Sequence, residues 1–328
     1  MKTDHVRVWL LGAVLLASLG SACSAWAVDD DDAPAAASNA DPAGRPGLDT
    51  SARARKADAA VVQAAPALDS EDPDAVDALT RVQTKGILRV AVYRNFTPFH
   101  DDGKGGIDDD IGAELARRLG VHVSVQSYMA GDEMGDDFRN AIWKGHYLGN
   151  PISDVMLHVP VDEALAKQSP QVEILAPYAS EETVVAYDGE RVSNWKGMES
   201  LGTQRAGVET LSMPDLYLLS FGGQYRAQVE HFPEAWQAVQ SMKSGELAVV
   251  LGSRTKLESA IAKDSARYKM TRFNSGIYGR SITLGLAVKK GEKRLAAKLA
   301  EAVQAMRSDG ALQRIFAAHD ATWVAPEQ

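Results

Sequence analysis

Three consecutive carboxylates, Asp108-Asp109-Asp110, follow Gly106-Ile107 and precede a run with helical apolar spacing. Carboxylates so placed could hold calcium or cap a helix. A calcium loop needs oxygen ligands at alternate positions and a bidentate glutamate at its twelfth. Counted from Asp108, that place is Leu119, so the spacing is absent. The expected role is capping, where aspartates accept unpaired backbone N–H groups and oppose the positive end of the helix dipole. His100, His146 and His158 each follow a separate element and could converge as three imidazoles on zinc. Nothing in their sequence spacing supports this, and no metal or cofactor is expected. No Ser-His-Asp order suggests a hydrolase. Asp101 to Gly105 (DDGKG) is too short for a phosphate-binding P-loop. No catalytic residue is assigned.

The elements that must position these groups can be read from periodicity. Ile87 to Tyr93 (ILRVAVY) is nearly continuous in apolar residues, as a buried parallel strand would be. Ile111, Leu115 and Leu119 recur every four residues and form one stripe, with Glu114 able to reach Arg117 and Arg118 on the wet face. Gly120 stops that helix, and Val121, Val123 and Val125 then alternate with polar residues as in a strand. Strand, helix and strand make a βαβ unit with a right-handed crossover. Its first loop, Arg94 to His100 (RNFTPFH), falls at the C-terminal end of a strand, where open α/β sheets bind ligands. Arg94 is the favoured cleft cation.

Further along, Asp77–Lys85 and Asp136–Lys144 read as helices, and Asp154–Val159 as a buried strand that leaves His158 near its end. Thr183–Tyr187 reads as a strand. Ser212 suits an N-cap, with Pro214 in the first turn. Phe232–Met242 is expected to be a helix with Trp236, Val239 and Met242 inward, before a buried strand at Leu247–Leu251. Thr255-Lys256-Leu257-Glu258 has the form of a capping box. Tyr278–Val288 is an apolar strand. Glu292–Arg307 is a helix with Leu295, Leu299, Val303 and Met306 as its stripe, and Asp309-Gly310 separates it from a last helix at Ala311–His319.

The chain opens with Lys2 and Arg7, an apolar run from Val8 to about Leu19, and Ala25-Trp26-Ala27, the pattern of a secretory signal peptide over 1–27. That run is too short to span a membrane as a helix. Cys23 is the only cysteine. Cleavage after Ala27 would remove it and leave no thiol, whereas Ser21-Ala22-Cys23 admits the alternative of a lipid anchor on Cys23. Residues 28–75 are rich in Asp, Ala, Pro, Ser and Gly and too poor in large apolar side chains to offset ordering entropy, so they are expected to be a disordered linker. Losing residues 1–27 takes away two basic residues and one acidic residue, moving the net charge from −9 to −10. Nucleic acid and anionic membrane surfaces are therefore poor partners.

Gly106-Ile107-Asp108-Asp109-Asp110-Ile111, followed by a helix ending Leu119-Gly120-Val121, resembles the signature of family 3 periplasmic solute-binding proteins. Pro98-Phe99, Glu173–Tyr178 (EILAPY) and Lys290-Gly291 before the long final helix also match that family's pattern. The resemblance implies an α/β, two-lobed, type II periplasmic-binding-protein fold with two hinge strands. Lobe 1 would be 76–183 plus 286–328, and lobe 2 would be 184–285. It implies a monomeric periplasmic protein that captures a small polar molecule between its lobes and presents it to a membrane permease of the ABC type. The ligand set it suggests is Arg94, Phe96, Phe99, His158, Thr210, Ser212 and Ser253; Arg254 and Arg280 could be offered as further cations, although a solvated position is the simpler account of each.

Departures from the family pattern bear on the ligand. Amino-acid binders carry an arginine about ten residues before the Pro-Tyr, where it forks onto an α-carboxylate; here that place is Gln168, beside Lys167. They also carry an aspartate after the second-lobe strand, and Gly252 and Ser253 stand there. An ordinary amino acid is thus not the expected ligand. A subgroup of the family accompanies periplasmic quinoprotein alcohol dehydrogenases as an accessory protein without these anchors, which is a second reading. A third is a dehydratase on the same fold, for which Glu209 could be offered as the buried carboxylate, although an exposed residue in a helix first turn is the simpler account.

Overall fold

A computed structural model describes residues 76–145, 151–221, 223–264, 266–274 and 281–327, which all belong to one unit of the chain. The expected signal peptide and linker, Cys23, His146 and Arg280 lie outside the described residues. The architecture is α/β, with two five-stranded mixed sheets flanked by helices.

Helix α1 (Ala78–Lys85) is capped by the Asp77 carboxylate, which accepts from Thr80 N–H, and leads into β1 (Ile87–Tyr93). Helix α2 (Ile107–Leu119) then returns the chain to β2 (His122–Tyr128), parallel to β1 in register from Ile87 with His122 to Tyr93 with Tyr128. Beyond α3 (Met134–Phe138) the chain continues as a π-helical turn, Arg139–Trp143, where a plain helix was expected. Strand β3 (Val155–Pro160) runs parallel to β1 on its other side. Helix α4 (Glu163–Gln168) is followed by β4 (Val172–Glu181).

Only Glu182 separates β4 from β5 (Thr183–Asp188), which lies in the second sheet. There β6 (Ala206–Glu209) runs parallel to both β7 (Val229–Phe232) and β8 (Val249–Ser253), while β5 is antiparallel to β8 and to β9 (Tyr268–Arg272). Helices α5 (Met213–Leu219), α6 (Ala235–Lys243) and α7 (Arg254–Ile261) join these strands. Strand β10 (Ile282–Lys289) brings the chain back to the first sheet, antiparallel to both β3 and β4. Its pairing with β4 starts at Ile282 opposite Glu181. Helices α8 (Lys293–Ser308) and α9 (Ala311–Ala318) close the chain over the first sheet.

Burial explains the pattern. The stripe Leu295, Leu299, Val303 and Met306 of α8 is buried with Ile111 and Leu115 of α2 and with Val90 and Val92 of β1. In β5, Val184 and Val185 face opposite cores and both are buried, so this sheet is covered on both faces. Three sequence expectations are corrected. Val229–Phe232 is a strand, and Pro233 precedes a helix capped by Glu234, so α6 starts later than expected. Trp236 is half exposed and its indole N–H donates to Glu234; Ala235, Ala238, Val239 and Met242 form the inward face instead. The cap of α7 is Ser253, whose hydroxyl accepts from Lys256 N–H, and Thr255 lies one residue inside the helix.

Candidate functional site

The loop after β1 is tied to the start of α2 by backbone hydrogen bonds. Ile107 N–H donates to Pro98 O at 3.0 Å and Asp108 N–H to Phe99 O at 2.9 Å. This contact requires glycine at 106, because a Cβ there would meet Phe99 O at 2.3 Å. Phe96 and Phe99 are stacked with centroids 5.3 Å apart. The His158 ring stands edge-on to both, at 4.7 Å and 4.3 Å.

His158 reaches them because β3 is irregular at that point. Its φ of 59° lies in the left-handed region, and the register against β10 shifts between Gly285 and Ala287. Strand β4 is irregular on the other side of β10, at Ala176 (φ 51°). Gly285 lies between these two disruptions, and a Cβ there would meet Leu175 O and Val161 Cγ2, each at 2.6 Å. Bulges next to sites commonly re-aim a side chain in this way.

The three aspartates do not cap α2. Gly106 is its N-cap, with no side-chain cap bond. Their carboxylates are drawn to tertiary partners instead. Asp110 meets His319 Nε2 at 2.8 Å. Asp109 and Asp102 take the two ring nitrogens of His100, at 2.8 Å and 3.0 Å. Burial disfavours charge on His100, yet these two hydrogen bonds outweigh it and hold its pKa above the ordinary value. Burial also raises the Asp109 carboxyl, against the pull of His100. Asp108 is fully buried, accepts a 3.4 Å hydrogen bond from the Tyr178 hydroxyl, and turns Oδ2 toward His158 Nδ1. Tyr178 in turn accepts from His158 N–H at 3.1 Å. Burial first, then the neighbouring Asp108, pushes the Tyr178 hydroxyl well up.

Across the cleft, Lys256 in the first turn of α7 lies 2.8 Å from each carboxylate oxygen of Glu209, at the end of β6. Its ammonium stands 4.2 Å from the centre of the Phe96 ring. Glu181, the last residue of β4, accepts from Thr255 N–H at 3.2 Å, and burial raises its pKa against hydrogen bonds from Thr255 and Ser253. Glu182 is held by Arg254 at 2.7 Å, and Thr322 N–H donates to Glu258 of α7 at 2.6 Å.

Phe96, Phe99 and His158 of the expected set are therefore in mutual contact, and Ser253 lies next to them through Lys256 and Glu181. Arg94 is elsewhere engaged: its guanidinium is exposed, 3.0 Å from Asp102 and within reach of Ser127. Thr210 is exposed and donates to Phe232 O, and Ser212 caps α5. Arg254 is bound to Glu182 and Glu258. Lys167 is paired with Glu163 on an exposed helix. Of the three histidines of the zinc alternative, His146 lies outside the described residues, His100 has carboxylates at both ring nitrogens and His158 faces Asp108. Among the described residues no group of three His, Cys, Asp or Glu is placed to hold a metal.

Asp108, Tyr178, Glu181, Glu209 and Lys256 stand around the same rings and lie outside the expected ligand set. Tyr178 had a signal in its Pro-Tyr motif. For Lys256 the signal was a cation in a helix first turn, where the dipole disfavours it.

No family model and no curated protein matches this chain. Solved structures do match. A polar amino acid ABC uptake transporter substrate-binding protein from Streptococcus thermophilus has a TM-score of 0.59 and 17% identity, covering 78% of this chain and 94% of that one. An ancestral cationic amino acid solute-binding protein has a TM-score of 0.57 and 17% identity, covering 73% and 98%. An amino acid ABC transporter substrate-binding protein from Streptococcus pneumoniae, solved bound to L-arginine, has a TM-score of 0.52 and 18% identity, covering 76% and 100%. These likenesses are of fold: the described chain has the two-lobed periplasmic-binding-protein architecture. No described helix is long and apolar enough to cross a membrane.

Proposed function

We propose that this protein is a periplasmic solute-binding protein that closes its two lobes over a small polar molecule. One observation carries the reading: Phe96 of the first lobe and the Glu209–Lys256 pair of the second meet in a single cleft. A ligand touching both lobes would favour the closed state by its differential affinity for it. The proposed ligand set keeps Phe96, Phe99, His158 and Ser253 and adds Glu209, the partner of Lys256, with Arg94, Thr210 and Ser212 on the rim. Lobe 1 is taken as 76–181 plus 282–327 and lobe 2 as 183–272, a division supported by which sheet each strand joins. Delivery to an ABC-type permease, monomeric state, export by a signal peptide and absence of catalysis complete the proposal.

A second reading is a ligand-free accessory to a periplasmic quinoprotein dehydrogenase. It is favoured by lobe-to-lobe contacts that this chain makes with its own groups, Lys256 on Phe96 and Glu258 with Thr322 N–H. Native mass spectrometry of the protein from its own compartment, followed by a thermal-shift screen of metabolites, separates the two. A bound small molecule, or a saturable upward shift with one compound class, is expected for the solute receptor. An empty cleft, no shift and a co-purifying dehydrogenase would establish the accessory instead.

A further inference from the structure

Lys256 is an ammonium set where helix electrostatics disfavour one. It is the third residue of α7, next to the positive end of the helix dipole. It is nevertheless largely enclosed, with its side chain 10% exposed. Two groups hold it there. Both oxygens of Glu209 lie at 2.8 Å, and the Phe96 ring lies beneath at 4.2 Å from its centroid. A carboxylate and an aromatic face, brought from opposite lobes, form a receptor for an organic cation. The surroundings add carboxyl groups. His158, which meets Phe96 edge-on, faces the fully buried Asp108, whose Oδ2 has no hydrogen-bond partner. Glu181 lies on the hinge side with Ser253 and Thr255. The neighbouring Arg254 is already committed to Glu182 and Glu258.

We infer that Lys256 is the built-in occupant of a cation site formed by Phe96 and Glu209, and that a small alkylammonium solute binds by displacing it. An external ammonium would make the same two contacts, and the long lysine side chain could then swing to solvent. The cleft would stay closed over its own lysine at low solute concentration and exchange it for a cation of matching chemistry at higher concentration. An anionic solute would find Glu209 in its way. This inference deepens the solute-binding reading and rests on it for the natural ligand, while the site itself can be tested apart from that reading.

The probe is n-butylammonium chloride, an alkylammonium one methylene longer than the fragment that Lys256→Ala removes. Thermal unfolding of Lys256→Ala should show a saturable upward shift, half-complete at about tenfold lower concentration than in wild type, with sodium chloride as the control. The double variant Lys256→Ala/Glu209→Gln should lose that shift. Equal responses in Lys256→Ala and wild type, or an unchanged response in the double variant, would overturn the inference. If Lys256→Ala does not fold, wild type reductively methylated with 13C-formaldehyde supplies a second readout. The methyl protons on Lys256 should resonate upfield over Phe96 and move downfield as butylammonium is added; a resonance that stays fixed overturns displacement. A negative metabolite screen combined with butylammonium uptake by Lys256→Ala supports the cation site and removes the transport reading. A wild-type solute that binds Lys256→Ala no more tightly does the reverse.

Discussion

Asp108 Oδ2 and His158 Nδ1 lie 3.4 Å apart beside the Phe96–Phe99 pair, at angles that leave both buried atoms without a hydrogen bond. Tyr178 bridges the same two residues, accepting from His158 N–H and donating to Asp108 Oδ1. The trio ties the start of α2, the bulge in β3 and the middle of β4 into one buried polar knot. Removing one member strands the others in a low-dielectric setting.

Asp108→Ala should therefore lower stability by about 1–3 kcal/mol, the scale for leaving a buried donor, here the Tyr178 hydroxyl, without its acceptor. Tyr178→Phe should cost about 1–2 kcal/mol by leaving His158 N–H and Asp108 unpaired. Because the two share partners, the double variant should cost less than the sum. Urea unfolding measures all three, and strict additivity would show that the knot does not act as a unit.

Gly106→Ala should cost about 3 kcal/mol or more, because its Cβ meets the Phe99 carbonyl, a backbone group that cannot rotate away. The conformation itself is not the cause, since Gly106 is extended at φ 178°. A urea midpoint equal to wild type would mean that the loop yields without loss.

His100 gives a pH dependence with a definite sign. Its folded pKa is raised above that of the unfolded chain, so its contribution is fully present below about pH 6.5 and fades as pH rises through the folded value. The stability gap between wild type and His100→Asn should therefore narrow as pH rises from below about 6.5 through the folded value. NMR titration of the ring should place its midpoint above the ordinary histidine value. A midpoint at or below that value would remove the Asp109 and Asp102 bonds as its cause.

Asp188 works in the opposite direction. It is fully buried and its pKa is lowered, first by the hydrogen bond from Arg267 at 2.6 Å. Its contribution is present above the unfolded pKa of about 3.9 and is lost as pH falls through the folded value. Arg267→Met should thus be less stable than wild type at neutral pH and should unfold at higher pH on acidification. Superimposable acid-unfolding curves would show that the pair does not set acid stability.

The amphipathic stripes of α2 and α8, the continuous apolar run of β1 and the alternation in β2 were legible in the sequence, because burial imposes a spacing on the apolar residues. The short edge strands Val229–Phe232 and Tyr268–Arg272 were not, since a half-buried strand of four or five residues carries little period. Phe96, Phe99 and His158 could be named from their place at strand ends. Their contact could not, because it depends on the irregularity of β3 at His158, paired across β10 with that of β4 at Ala176.

The sequence by itself determined the order of the main helices and buried strands. Tertiary structure alone decided what the charged groups do. Asp108, Asp109 and Asp110 look alike in sequence, yet each answers to a different partner, Tyr178, His100 and His319. Lys256 reads as one more helix-surface lysine until α7 is set opposite Phe96. Local rules act over a turn of chain, whereas ion pairing and ring contacts depend on which distant segments the two sheets bring within about 4 Å, where Coulomb and cation–π attraction become large.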